Sequence, residues 1–271
     1  MRHRLRVQIL RRGVSINLAG TAGVRIPSRV PPGTAASPFV GESQPIPARQ
    51  LSFVGPLLRP FKCAVISLFT GEMAKGTPAS IEAIISTALA EDIAAGIDTV
   101  LIGNTAATSI APAGLLNGVT PLTPSAATDP ATAVAADLSA LAAAIVPAPT
   151  APTFIMNGVQ AASSGLLVAG IGGVDIIVSD AVPAKTVICV DSADFASSVD
   201  SGGINVSNDA TIISRDDPAP VSQGASGASA DTAAPHLSLF QVDCIGIKIT
   251  EDVSWLMRRS GRVSYVTNIK W

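Results

Sequence analysis

The sequence has little of the equipment that chemistry needs. Two histidines, His3 and His236, are its whole supply of imidazole, and neither has another plausible ligand nearby in the chain. A histidine metal site or a nucleophile–base triad has nothing to build on. Three cysteines, Cys63, Cys189 and Cys244, are odd in number, widely spaced and set in apolar runs ("FKCAVISL", "KTVICVD", "VDCIGIKI"). That pattern excludes a disulfide framework and zinc-ligand spacing, and predicts buried thiols in a reduced compartment. Aromatic residues make up only 4% of the chain, with one tyrosine, so no base-stacking platform is expected, and no recognition helix is visible.

Long apolar runs are also missing. "LSALAAAIVPAPTAPTFIM" has the length to span a bilayer, but prolines at 147, 149 and 152 cut it. The basic N-terminus lacks the apolar core of a signal peptide, since "VSINLAGTAGV" is broken by polar residues and glycine. A soluble, non-exported chain is expected. "GIGGVD" (170–175) is not a complete G-x-G-x-x-G and precedes a strand instead of joining strand to helix, which predicts a tight turn. Asp216 and Asp217 are adjacent, so they point apart, and a solvated turn before Pro218 is expected. With no phosphate loop, nucleophile elbow or HExxH helix, the sequence predicts no catalytic residue, no cofactor and no metal.

What remains is architecture. The 271 residues are 48% apolar, enough for a sizeable core, while charged residues are 14% and the net charge is −2. The charge is unevenly placed. Seven of the 18 basic residues, Arg2, Arg4, Arg6, Arg11, Arg12, Arg25 and Arg29, precede the first acid, Glu42. Such a segment suits a phosphate backbone, an anionic membrane or an acidic neighbouring subunit, or else a solvated terminus.

Residues 1–36 read as an extended arm, ending in the helix-excluding "PSRVPPGTAAS". Residues 37–65 read as a projecting hairpin, followed by "CAVISLF" as a strand. The clearest helix runs over 77–103. Thr77 caps it, Pro78 takes the first helical position, and Ile81, Ile84, Ile85, Ala88, Leu89, Ile93, Ile97, Val100 and Leu101 recur at three- and four-residue spacing. Its acids Glu82, Glu91, Asp92 and Asp98 predict a face turned to water or to a basic partner. A second helix starts at Asp129-Pro130 and passes through Val134, Leu138, Leu141 and Ile145. Then "TFIM", "VDIIVSDAV" and "KTVICVD" read as buried strands of a mixed α/β lobe. "LSLFQVDCIGIKITEDVSW" alternates as one long strand, with Gly246 as a candidate bulge, and "RVSYVTNIKW" is a further strand.

Three passages, in order, resemble the tailed-phage major capsid proteins of the Hong Kong 97 type. "FVGESQPIPARQLSF" is similar to that family's extended E-loop. "GEMAKGTPASIEAIISTALAEDIAAGIDTVLIGN" is similar to its spine helix, with the following "APAGLLNGV" also in keeping. "SLFQVDCIGIKITEDVSWLMRRSGRVSYVTNIKW" is similar to the returning peripheral strand and chain end. The resemblance covers about half the chain. It implies an α+β, Hong Kong 97-like capsid fold: an N-terminal arm at 1–36, an E-loop hairpin at 37–65, a peripheral domain at 66–125 and 236–271 with the spine helix at 77–103, and an axial domain at 126–235.

The implied function is a non-enzymatic shell subunit that assembles with itself as hexamers and pentamers around double-stranded DNA, with portal, scaffolding and maturation-protease proteins as partners. The implied inter-subunit residues are Glu42, Arg49, Leu51, Phe53, Val54, Leu57 and Leu58 on the loop, and the arm arginines Arg2, Arg4, Arg6, Arg11 and Arg12. Arg258, Arg259 and Arg262 form a basic cluster facing a neighbour, with Glu42 as its proposed partner, or facing DNA. Family precursors often carry an N-terminal scaffolding region, whereas the family-like arm starts here almost at Met1; a separate scaffold or a mature form is expected. Two alternatives stand beside this reading: an encapsulin-type compartment shell, and a small α/β nucleotide-binding enzyme on the 126–220 lobe.

The founding member of the family crosslinks its shell through an E-loop lysine. Here residues 37–61 contain no lysine, and their bases are Arg49 and Arg59. A guanidinium stays protonated and is a poor nucleophile. Boiled particles are therefore expected to run as single chains on a reducing denaturing gel, and a covalent ladder built from this loop would overturn the expectation.

Overall fold

The computed structural model of the protein describes residues 9, 12–18, 20–29, 39–44, 46, 53–76, 81–167, 175–213 and 236–271. Two compact units are present: Met1–Phe61 with Ala95–Asp200 and Asp252–Trp271, and Lys62–Ala94 with Ser201–Glu251. The chain opens with the two-residue strands β1 (Val14–Ser15), β2 (Val24–Arg25), β3 (Ser28–Arg29), β4 (Phe53–Val54) and β5 (Leu57–Leu58). Strand β6 (Phe61–Thr70) and helix α1 (Gly71–Gly76) lead to the long helix α2, Ile81–Ile102. Helix α3 (Pro130–Ala144), β7 (Pro152–Met156), α4 (Gly158–Leu167), β8 (Asp175–Val178) and β9 (Thr186–Asp191) follow. The rest is β10 (Phe195–Ser207), β11 (Thr211–Ile213), β12 (His236–Ser238), β13 (Cys244–Met257) and β14 (Val263–Thr267).

The core of the first unit is a four-stranded sheet in the order β14-β9-β7-β8. β7 and β8 are parallel and joined through α4, and β9 runs antiparallel to β7. Every residue of β9 is buried, as "TVICVD" suggested, because both of its faces are covered. Helix α3 lies against one face, placing Val134, Leu138, Leu141 and Ile145 on Phe154, Met156, Val187, Cys189 and Val266. Each large side chain fully buried there contributes about 1.5–3 kcal/mol. Asp129 caps α3 as its sequence position implied, accepting from the Thr132 N–H at 2.9 Å and from the Thr132 hydroxyl at 2.6 Å, with Pro130 in the first turn. These two bonds, the hydroxyl's first, hold the Asp129 carboxyl below its ordinary pKa.

The last strand departs from the expected domain division. β14 pairs antiparallel with β9, Val263 opposite Val190 through Thr267 opposite Thr186, so the chain end completes the sheet of the α/β lobe. It is locked there by Trp271, whose indole Nε1–H donates to Asp137 on α3 at 2.9 Å. Asp137 also accepts from Ser125 N. Apolar alternation marks residues 263–267 as a strand, but the choice of partner is made by edge pairing that spacing does not encode.

The hairpin expectation is also redrawn. β2 pairs with β5 (Val24 with Leu58) and β3 with β4 (Ser28 with Val54), both antiparallel. One side of this ribbon thus comes from 24–29, residues read from sequence as part of the arm. Its root is fixed by a small cluster of Leu18, Ile26, Leu58 and Ala196. Leu58, expected to await a neighbouring subunit, is 1% exposed in its own chain.

Helix α2 lies within the 77–103 expected; residues 77–80 fall outside the described residues. Its 22 residues span roughly 33 Å. Leu89, Ile93, Ala94, Ile97, Leu101 and Ile102 are its buried stripe, while Glu91 and Asp92 are exposed as anticipated and Asp98 is buried instead.

In the second unit, the run expected as one long strand from 237 is interrupted. Residues 239–243 turn, so β12 pairs with β11 and β13 begins only at Cys244. The break sits at Asp243, which adopts φ +46 and accepts Gly71 N at 2.7 Å. Phe240 is 78% exposed in consequence. Gly246 lies inside β13, where an added Cβ would come within 3.0 Å of Leu239.

The loop after α2 is held by close backbone approach in the first unit. Gly114 N donates to Thr105 O, Leu115 N to Leu101 O and Leu116 N to Gly103 O. The Trp255 indole donates to Ala113 O at 2.9 Å. A Cβ on Gly114 would sit 2.0 Å from Gly103 O, which no rotamer can relieve. Gly114→Ala is expected to cost about 1–3 kcal/mol by forcing the loop off the helix end. Urea unfolding checks this, and a wild-type midpoint would overturn it.

Candidate assembly surfaces

Three stretches of the first unit meet at a buried ionic knot. β9 ends on Asp191, whose carboxylate caps a short 3-10 turn by accepting from Ala193 N. The same carboxylate accepts Thr150 N at 3.2 Å and Ala151 N at 3.1 Å, tying in the loop before β7. Main-chain bonds from Asp191 N to Arg262 O and from Ser192 N to Ala151 O run alongside. Asp194, three residues on, takes Arg259 in a forked contact, with Nε 2.9 and 2.8 Å from its two oxygens and Nη2 2.6 Å from Oδ2. Arg262 lies 2.7 Å from Asp194 through Nε and 3.6 Å from Asp191 through Nη1. Its Nε meets Asp194 off the line a hydrogen bond needs, so that contact is Coulombic, while Nη1 also donates to Pro147 O. Thr153 donates to Asp175 and Ser192, and Asp175 pairs with Arg12.

The knot corrects the exposed basic cluster expected from "RRSGR". Arg262 is 2% exposed, with its charge committed to Asp191 and Asp194, because Gly261 (φ +70) turns the chain back into the sheet. Arg258 is half-buried; its main-chain N–H donates to Asp194 O, and its Nε is enclosed without a hydrogen-bond partner. Arg259 remains 29% exposed at the rim. No hallmark of spacing announced the two acids. The available signal was an acid closing a buried apolar strand, "VICVD", with a second acid one turn later.

Of the ribbon residues, Glu42 is exposed, Phe53 is 59% exposed and Leu57 38% exposed. Arg49 and Leu51, the side chain of Val54, and Arg2, Arg4, Arg6 and Arg11 lie outside what the structure describes. Arg12 is half exposed against Asp175. Between the ribbon root, residues 107–119 and residues 254–263 lies a cleft of about 520 Å³ with Leu57, Phe61, Leu115, Trp255 and Met257 in its lining. Arg59, Arg259 and Arg262 line it too, and no acid does among the described residues.

One cysteine is held unreactive by burial. All three cysteines are thiols; Cys189 is buried and Cys63 and Cys244 are half-buried. Burial, then the nearby charge of Asp191, push the Cys189 pKa up to about 12, with a hydrogen bond to Ser264 opposing. It stays protonated and unreactive at neutral pH. Among the described residues there is no metal-ligating cluster and no helix long and apolar enough to cross a membrane.

Removing Asp194 strands two guanidiniums. Asp194→Ala is expected to destabilise the protein by about 3–5 kcal/mol, as for a broken buried pair. Arg259→Ala, at the partly exposed rim, is expected to cost about 1 kcal/mol. Chemical denaturation checks both, and equal losses would show that the knot is not the anchor described.

Residues 4–163 match the phage capsid family. A capsid polyprotein of Pseudomonas phage PAJU2 is 29% identical over 297 residues, which take in 98% of this chain and 43% of that protein. The chain thus spans less than half the length of this curated relative. A solved structure from Mycobacterium phage Bobi superposes with TM-score 0.65 at 15% identity, over 97% of this chain and 90% of that one. One from Mycobacterium phage Adephagia gives 0.67 at 14% identity, over the same shares. The capsid of a native GTA particle gives 0.56 at 12% identity, over 98% and 92%. At these identities the structures speak for the fold alone. Neither the compartment shell nor the nucleotide-binding enzyme is favoured by any of these matches. With more than half its length inside the family match, the chain belongs to the phage capsid family.

Proposed function

We propose that the protein is the major capsid subunit of a tailed phage, assembling with itself into an icosahedral shell around double-stranded DNA. The observation that carries this reading is the family match over residues 4–163, joined to a subunit that leaves large apolar side chains exposed on its ribbon. Phe39 at 90% and Ile46 at 82% exposed are poor surface residues for a monomer and good ones for an interface. In this reading the ribbon of β2–β5 is the family's E-loop and α2 its spine helix. The α/β lobe, completed by β14, takes the place of the axial domain, which redraws the expected boundary at 235.

The role is geometric, not catalytic. The buried knot and the α3-covered sheet make the first unit of each subunit firm, and the ribbon is what one subunit offers to the next. Exposed ribbon apolars supply association by burial. The arm arginines supply sequence-independent attraction to DNA or an acidic neighbour, and that attraction weakens with salt. Assembly in the host cytoplasm is part of the same reading. Portal, scaffolding and maturation-protease partners belong to the same reading.

Electron microscopy of the expressed full chain is the direct test. Shells or ring-shaped capsomers are expected, and a monodisperse monomer at high concentration would overturn the proposal.

A further inference from the structure

We propose that Asn117 is a self-modifying site: its side-chain amide is lost through attack by the Gly118 main-chain nitrogen, which leaves a carboxylate on the wall of the 520 Å³ cleft. The inference is independent of the shell-subunit reading, because the reaction needs only water and the folded chain.

The sequence contains two Asn-Gly pairs, Asn117-Gly118 and Asn157-Gly158. A glycine after asparagine leaves the attacking nitrogen unshielded by any side chain and the peptide free to rotate, so both pairs have the required chemistry. The fold treats them differently. Asn157 is half-buried at the start of α4, and both ends of its amide are held. Its Oδ1 accepts from Val159 N at 3.1 Å, and its Nδ2 donates to Val182 O at 3.3 Å. Its main-chain oxygen accepts from Ala161 N at 2.9 Å, which fixes the very peptide whose nitrogen would have to attack.

Asn117 has none of these restraints. It and Gly118 are both exposed. Among the described residues, neither its side-chain amide nor the Gly118 N–H takes part in a hydrogen bond. The surrounding space is open, with no atom within 4 Å of a Cβ built on Gly118. Gly118, at φ 72, is the second central residue of a turn closed by one bond, Val119 N to Leu116 O at 3.1 Å.

The reaction consumes one water and releases one ammonia. The Gly118 nitrogen gives its proton to solvent base and bonds to Asn117 Cγ. The Cγ–Nδ2 bond breaks, ammonia leaves, and a cyclic imide is closed. Water then opens the ring. Breaking the new bond between Gly118 N and Cγ yields an aspartyl side chain. Breaking the original main-chain bond yields the β-linked isomer, with one extra carbon in the main chain. Either product adds a carboxylate to a lining that holds Arg59, Arg259 and Arg262 and no acid among the described residues. The β-linked product also lengthens a turn whose neighbours are tied to the end of α2, Leu115 N to Leu101 O and Leu116 N to Gly103 O.

The test incubates the full chain in mildly alkaline buffer, one sample folded and one in guanidinium chloride, and then cleaves both before aspartates. Asp129 and Asp137 lie between the two pairs, so each pair is read on its own peptide by mass spectrometry. In the folded sample the amide-to-acid mass increase is expected at least about tenfold faster at Asn117 than at Asn157, whose helix start must first open. In denaturant both peptides change. Asn117→Gln, whose longer side chain disfavours ring closure, is expected to leave its peptide unchanged in the folded sample. A folded chain that keeps Asn117 as the amide while the denatured chain converts it overturns the proposal, and so does conversion of both pairs at one rate.

Discussion

Two carboxylates at the end of one strand set the geometry of the first unit. Asp191 and Asp194 sit where β9 gives way to a 3-10 turn, and between them they bind the loop before β7 and the turn before β14. Without them, Arg262 would be a buried charge with no counter-ion, a state costly enough to reorganise the chain. With them, the last strand is delivered to β9 in a single register, and the sheet that α3 covers is complete. An isolated buried ion pair often contributes little net stability. This one recruits four backbone N–H and C=O partners as well, and its evident yield is specificity of path.

That firmness bears on the assembly reading. A subunit whose lobe is held by a buried knot, a capped helix and a tryptophan at the chain end can leave its ribbon residues exposed without unravelling. The root of the ribbon is buried on Leu18, Ile26 and Ala196, so its direction is set within the subunit. Beyond the root, apolar side chains face outward. The division is physical: Leu58 is buried within the chain at the root, while Phe53 and Leu57 on the same ribbon stay exposed.

Much of the local structure was legible. The Asp129-Pro130 cap, the stripe along α2, the buried strands "TFIM" and "TVICVD" and the protonated Cys189 follow from capping chemistry, helical spacing and apolar content. Pairings were not. Residues 24–29 looked like arm and turned out to be one side of the ribbon. Residues 263–267 looked peripheral and closed the lobe's sheet. Of an arginine triplet that reads as a surface patch, Arg262 is buried and ion-paired and Arg259 is paired at the rim. Each miss concerns which distant segment answers a local pattern.

The amino-acid sequence determined much of the character of this protein: poor in histidine, tyrosine and charge, without a nucleophile-elbow or phosphate-loop motif, and bearing ordered passages that resemble the capsid family. It also determined where helices start and which runs must be buried, since those depend on neighbours within a few residues. The tertiary structure alone decided whether a charged side chain faces water or the interior, and whether an apolar one is buried inside the subunit, as with Leu58, or left exposed, as with Phe53. The physical reason is that burial and pairing are properties of contacts between residues a hundred positions apart, and no local spacing encodes them.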